Sequence, residues 1–119
     1  MLYKRKLQTI VERHLFKGKA IVIYGARQVG KTTLVRGIAE QSGKKYRLID
    51  CELLEYKELL ERRNTADLFS LVEGYEIVVF DEAQAVRDIG QVLKSIHDHR
   101  SDVQIIATGS SSFDLANLV

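Results

Sequence analysis

Nine consecutive residues, Gly25-Ala26-Arg27-Gln28-Val29-Gly30-Lys31-Thr32-Thr33, fit the spacing G-x-x-x-x-G-K-[ST] of a loop that cradles phosphate groups. The two glycines let the backbone curl, so that successive N–H groups point inward at the mouth of a helix and form a concave anion site. Lys31 would add a mobile positive charge reaching the β- and γ-phosphates. The Thr32 hydroxyl would ligand a magnesium ion whose remaining shell is water and phosphate oxygen. Thr33 is expected only to continue the helix. All nine residues are candidates for binding a nucleotide, since a plain glycine turn requires neither the lysine nor the hydroxyl.

Phosphoryl transfer to water also needs a carboxylate in the magnesium shell and a group that orients or deprotonates the attacking water. Asp81-Glu82 follows the apolar run Ile77-Val78-Val79-Phe80, which places the pair at the carboxyl edge of a sheet, where ligands of such folds bind. Asp81 would hold a magnesium-bound water, and Glu82 would be the general base. A further run, Thr108-Gly109-Ser110-Ser111-Ser112, follows Val103–Ala107. Thr108 and Ser110 are the candidates there for contacting the γ-phosphate or the water, while Ser111 and Ser112 could cap a last helix.

Strands are expected near 20–24, 45–50, 76–80 and 103–107. The first, Ala20 to Tyr24, is continuously apolar, as expected of a strand covered on both faces in a parallel sheet. Helices are expected between them. Leu7, Ile10, Val11, Leu15 and Phe16 recur at helical spacing, as do Leu34, Val35, Ile38 and Ala39. Leu53, Leu54, Leu59 and Leu60 mark a third helix, and Leu68, Phe69, Leu71 and Val72 a fourth, capped by Asn64 or Thr65 and ended near Gly74. Ile89 to Ile96 mark a fifth. Strands alternating with helices in this way give an α/β fold, a parallel sheet with helices on both faces and right-handed crossovers.

The 119 residues fit one domain, spanning 1–119, with no repeat, low-complexity segment or proline to mark a boundary. No apolar run approaches the ~20 residues needed to cross a bilayer, and Lys4, Arg5 and Lys6 interrupt any signal-like core near the N-terminus. A cytoplasmic location and no membrane partner are the expectation. Cys51 is the one cysteine, read as a small core residue. His97 and His99 lie two apart and share no helix face, so no zinc site is read. The net charge of +2 is unevenly spread: residues 1–31 hold eight Lys/Arg against Glu12 alone, hence +7, and the rest carries −5. That bias would steer a polyanionic nucleotide. A nucleic-acid contact lacks the interleaved aromatic and basic residues that would support it.

Gly25 to Leu34, Asp81-Glu82-Ala83-Gln84 and Thr108 to Ser112 together resemble the AAA-type ATPase domain found in many prokaryotic ATP-binding proteins, a branch of the AAA+ superfamily. Its marks are G-x-R-Q-V-G-K-T-T-L, D-E-x-Q and T-G-S-S-S, in this order. The resemblance implies a three-layer P-loop NTPase core with strand order 5-1-4-3-2, ATP and magnesium as cofactors, Glu82 as base and a sensor at the tip of the fourth strand. Family members continue with a fifth strand, an arginine that completes the site and further domains. The chain therefore reads as the N-terminal part of a larger ATPase, truncated before the fifth strand, with the first strand an open edge and Arg27 no substitute for the missing arginine.

The expected function is magnesium-dependent ATP hydrolysis used as a conformational switch for attached domains or a homo-oligomer, with ATP and ADP as ligands and weak turnover by this segment alone. Two alternatives stand beside it: a module that binds nucleotide without turnover, and a P-loop small-molecule kinase, which the Asp-Glu pair disfavours. A GTPase fits less well, since no N-K-x-D segment appears and no glycine stands three residues after Asp81.

Overall fold

A computed structural model describes residues 2–25 and 30–110, with side chains from residue 5 onward. Alternating elements follow one another: α1 (Leu2–His14), β1 (Ile21–Tyr24), α2 (Lys31–Gln41), β2 (Tyr46–Asp50), α3 (Leu54–Arg62), α4 (Thr65–Val72), β3 (Ile77–Asp81), a 3-10 turn (Ala83–Ala85), α5 (Ile89–His99) and β4 (Gln104–Gly109). The four strands are all parallel, in the order β1-β4-β3-β2. This is the expected order over the strands described.

The two-residue period of the strands divides the core into two halves. Ile77 and Val79 of β3 and Ile106 of β4 face α1 and α2, where they meet Val11, Val35 and Ile38. Val78 and Phe80 of β3 and Ile105 and Ala107 of β4 face the other way, against Leu60, Leu68, Val72, Leu93 and Ile96 of α3, α4 and α5. Every residue of β3 and β4 is buried, which is why each has an apolar middle, Ile77–Phe80 and Ile105–Ala107, while the buried polar residues Asp81, Gln104 and Thr108 stand at or near the strand ends.

Four expectations need correction. β1 is covered on both faces but less deeply than expected: Ala20 and Val22 pack against the half of the core that holds α3, α4 and α5, and Ile21 and Ile23 against the half that holds α1 and α2, yet only Ile23 is buried and Tyr24 is 38% exposed. Its free side and α1 form a groove of about 440 Å³ lined by Leu7, Val11, Ile21 and Ile23 among others. Ile10 and Phe16 are not core residues. α1 turns Leu7 and Val11 inward and Ile10 outward, and Phe16 lies past its end in a left-handed conformation at φ 57°. In α3 the buried stripe is Tyr56, Leu59 and Leu60, at i, i+3 and i+4, while Leu53 and Leu54 remain exposed at its first turn. β4 does not stop at Ala107. Gly109 registers with Tyr24 and its carbonyl accepts the Gly25 N–H at 3.1 Å, so Thr108 and Gly109 still belong to the strand.

One helix start follows its sequence chemistry closely. Asn64 accepts the Asp67 N–H at 3.1 Å at the start of α4, satisfying one of the amides that a helix start leaves without an internal partner. Cys51 is fully buried beside β3, with its N–H bonded to the Asp81 carbonyl at 3.0 Å. Burial first, then the nearby carboxylates of Asp81, Asp50 and Glu82, push its thiol far above the ordinary cysteine range. A thiol held protonated in this way is a poor nucleophile.

Candidate functional site

The side-chain alternation that builds the core also builds the site. Ile77, Val79 and Asp81 point to one face of β3, so the face that is apolar for most of the strand ends in a carboxylate. On β4, Ile106 and Thr108 do the same. Val79 registers with Ile106 and Phe80 with Ala107, so the next step sets Thr108 beside Asp81. The Thr108 hydroxyl donates to Asp81 Oδ1 at 2.6 Å and accepts the Glu82 N–H at 3.1 Å.

Helix α2 brings the third member. Gly30 caps it with φ 73° and ψ 35°, a left-handed conformation that glycine adopts without a Cβ penalty. The chain then enters the helix at Lys31, and Thr32 comes to lie above the end of β3. Its hydroxyl stands 2.9 Å from Asp81 Oδ1 and 2.8 Å from Oδ2. Lys31 is only 3% exposed, and its ammonium donates to the Gly25 carbonyl at the start of the loop. A lysine is rarely buried so deeply unless its charge has partners. Ala26, Arg27, Gln28 and Val29 lie outside the described residues, as do Ser111 and Ser112, so the expectations placed on them are not addressed by this geometry.

Sequence reasoning paired Thr108 with Ser110 at a strand tip, but the two are placed differently. Thr108 is fully buried with its hydroxyl engaged on both sides, behind Asp81. Ser110 is exposed just past β4, and its hydroxyl lies 3.4 Å from Glu82 Oε1. Glu82 itself has φ 52° and ψ 49°, a left-handed conformation uncommon for a non-glycine residue. This backbone turn follows directly on the last residue of β3 and starts the 3-10 turn. Thr33 is an exposed residue of α2, as expected of a residue that only continues the helix.

Two residues near the centre had no assigned role in the sequence reading. Asp50 closes β2 and registers with Asp81, and its Oδ1 accepts the Glu52 N–H at 3.0 Å. Gln84 donates to Glu82 Oε1 at 2.8 Å and to Ser110 Oγ at 3.1 Å. Asp50 could have been found by aligning strand ends. Gln84 carries no periodic signal and was visible only as the last letter of D-E-x-Q.

The donor set suits a magnesium ion and a polyphosphate. A threonine hydroxyl and a carboxylate, both hard oxygen ligands, already lie within hydrogen-bond distance of each other, an arrangement that a small, partly hydrated divalent cation can enter or bridge through water. The start of α2 supplies the positive end of a helix dipole on the same side.

A sequence profile of the AAA domain family matches residues 17–119. The Holliday junction branch migration complex subunit RuvB of Prochlorococcus marinus (strain NATL2A) is 30% identical over 114 residues, covering 92% of this chain and 30% of that protein. The chain thus spans under a third of the length of that relative. Among solved structures, the replication initiator DnaA bound to AMPPCP and single-stranded DNA superposes with a TM-score of 0.62 at 16% identity, over 89% of this chain and 37% of that one. A DNA replication initiation factor gives 0.66 at 15% identity, over 95% and 41%. A Thermotoga maritima RuvB mutant gives 0.59 at 20% identity, over 93% and 39%. The structural likenesses carry the fold alone, a parallel α/β core. With the profile matching nearly the whole length, the chain belongs to the AAA domain family.

Proposed function

We propose that this chain binds ATP with magnesium and hydrolyses it, and that the change in phosphate state acts as a switch on attached domains or neighbouring copies. The observation that carries the reading is the Thr32–Asp81–Thr108 cluster with Glu82 directly beside it. It joins the phosphate-binding helix to two central strands. In this reading Gly25 to Thr33 hold the phosphates, with Lys31 exchanging the Gly25 carbonyl for phosphate oxygens. Thr32 and Asp81 hold the magnesium ion, which when bound neutralises charge building on the phosphate oxygens. Thr108 keeps Asp81 in register, Ser110 lies at the open edge, and Glu82 orients water and takes its proton.

The test is Glu82→Gln. It should bind ATP as tightly as wild type while single-turnover hydrolysis falls about a hundredfold or more, the range for loss of a general base. Equal hydrolysis by both proteins would remove Glu82 from the role. The same assay on a longer product of the gene tells whether turnover needs groups outside these residues.

A nucleic-acid partner is a second reading, favoured by two observations. Arg5, Lys6, Arg13, Lys17 and Lys19 are all exposed on and just after α1, and the solved DnaA relative is bound to single-stranded DNA. Binding to a labelled single strand that weakens steeply with salt, and weakens further when Arg5 and Arg13 become alanine, would support it.

A further inference from the structure

Beside the Thr32–Asp81–Thr108 cluster lies a second, smaller network. The Gln84 side-chain amide donates one hydrogen to Glu82 Oε1 at 2.8 Å and the other to Ser110 Oγ at 3.1 Å. The Ser110 hydroxyl lies 3.4 Å from the same Glu82 oxygen. One carboxylate oxygen, one hydroxyl and one amide group thus form a closed triangle. It ties the 3-10 turn after β3 to the residue after β4. The amide orientation is dictated by the carboxylate: turned over, the Gln84 carbonyl oxygen would face Glu82 Oε1, two acceptors against each other.

Gln84 adopts this position at a cost. Its Oε1 is buried and takes no hydrogen bond from the described residues, and a buried acceptor without a donor destabilises a fold. Packing does not explain such a choice, because a methionine of similar length would fill the space with no orphaned oxygen. Holding Glu82 does explain it. A carboxylate that serves as a base needs one oxygen turned to the proton it takes, and a flexible glutamate gains most from a third group that fixes its orientation.

Resting on the reading of Glu82 as the base, we infer that Gln84 is a positioning residue: with Ser110 it anchors Glu82 through Oε1 and leaves Oε2 as the oxygen that accepts the proton of water. Gln84 acts through Glu82 and touches neither nucleotide nor metal. Ser110 belongs to the same device, which gives the serine a task distinct from that of the buried Thr108. The left-handed backbone at Glu82 serves this arrangement too, since it starts the tight turn that folds Gln84 back over its own neighbour two positions earlier.

Two independent measurements test this role of Gln84. In kinetics, Gln84→Ala and the volume-conserving Gln84→Met should each lower kcat about tenfold to a hundredfold, with KM and ATP affinity within about twofold of wild type. In a Glu82→Gln background the same changes should have almost no further effect, because residues acting as one unit are strongly non-additive. Met retains the packing and removes the orphaned oxygen, so a loss of kcat in Gln84→Met with a thermal midpoint no lower than that of wild type separates positioning from folding. The second readout needs no turnover. In nucleotide-free protein, the Gln84 side-chain amide protons should exchange slowly with solvent by NMR, and Glu82→Ala or Ser110→Ala should release them. Wild-type kcat in both Gln84 variants, additive losses with Glu82→Gln, or freely exchanging Gln84 protons in the wild type would each overturn the inference. If Glu82→Gln leaves hydrolysis unchanged, it is the parent reading of the base that fails, and the proton-exchange result still decides whether the triangle exists.

Discussion

The hydroxyl of Thr32 lies 2.9 and 2.8 Å from the two carboxylate oxygens of Asp81, a residue 49 positions later in the chain. This pairing joins the first turn of α2 to the last residue of β3, two elements that have no contact in sequence. Thr32→Ala should therefore weaken ATP binding about tenfold in the presence of magnesium and change it less than about threefold in excess EDTA, a split that calorimetry resolves. Equal losses in both conditions would place the hydroxyl on phosphate and away from the metal.

Lys31 is nearly inaccessible while bonded to the Gly25 carbonyl. Lys31→Met keeps much of the apolar stem and removes the charge, so it should cost at least about tenfold in affinity for ATP, in line with the loss of a charge-assisted hydrogen bond. Binding of adenosine, which has no phosphates, should not change. Fluorescence titration of both ligands checks the contrast.

Thr108 bridges two groups with a single hydroxyl, donating to Asp81 and accepting from the Glu82 N–H. Thr108→Val preserves shape and leaves a carboxylate oxygen and an amide each short of one partner. Stability should fall by about 1–3 kcal/mol, the usual cost of orphaned buried polar groups, and Thr108→Ser should recover most of it. Urea unfolding of the three proteins measures this directly, and a valine variant as stable as wild type would count against the bridge.

Glu61 accepts hydrogen bonds from the Arg87 N–H at 2.8 Å and from Lys57 at 2.9 Å, and these hold its carboxyl below the ordinary glutamate range, the Arg87 amide contributing most. A carboxyl with a depressed folded-state pKa binds its proton more readily when unfolded. Its stabilising contribution is thus complete above the ordinary glutamate pKa and disappears as pH falls through the lower folded value. Urea midpoints measured from pH 7 down to pH 3 should drop less steeply for Glu61→Gln than for wild type. Parallel curves would show that the linkage is absent.

Much of the architecture was legible because it depends on patterns that repeat. The apolar runs within 76–80 and 103–107 marked two strands, and Asn64, one of two cap candidates, marked a helix start. The position of Asp81 could be read because it directly follows the apolar run Ile77–Phe80, at the carboxyl end of β3. What was not legible depended on the third dimension. Ile10 and Val11 are equally apolar, and only the direction of α1 decides that the second is buried and the first exposed. Thr108 and Ser110 are both hydroxyl residues two positions apart, yet two more ladder positions in β4 bury one and leave the other at the surface. Gln84 shows the same limit: a residue in a 3-10 turn has no period to announce where its amide will point.

Strand β4 is hydrogen-bonded along both flanks, to β1 and to β3. At its first residue the Gln104 side chain accepts the Phe16 N–H at 2.6 Å and donates to the Lys19 carbonyl at 3.0 Å. The strand is thus pinned at both sides and at its amino end. Sliding it by one residue would turn a methyl from Ala107, in place of the Thr108 hydroxyl, toward Asp81, since neighbouring residues face opposite ways. The site therefore behaves as a gauge of the sheet: when the ladder is fully zipped the Asp81 carboxylate has its Thr108 brace, and a form of the chain with β4 misthreaded would lack it.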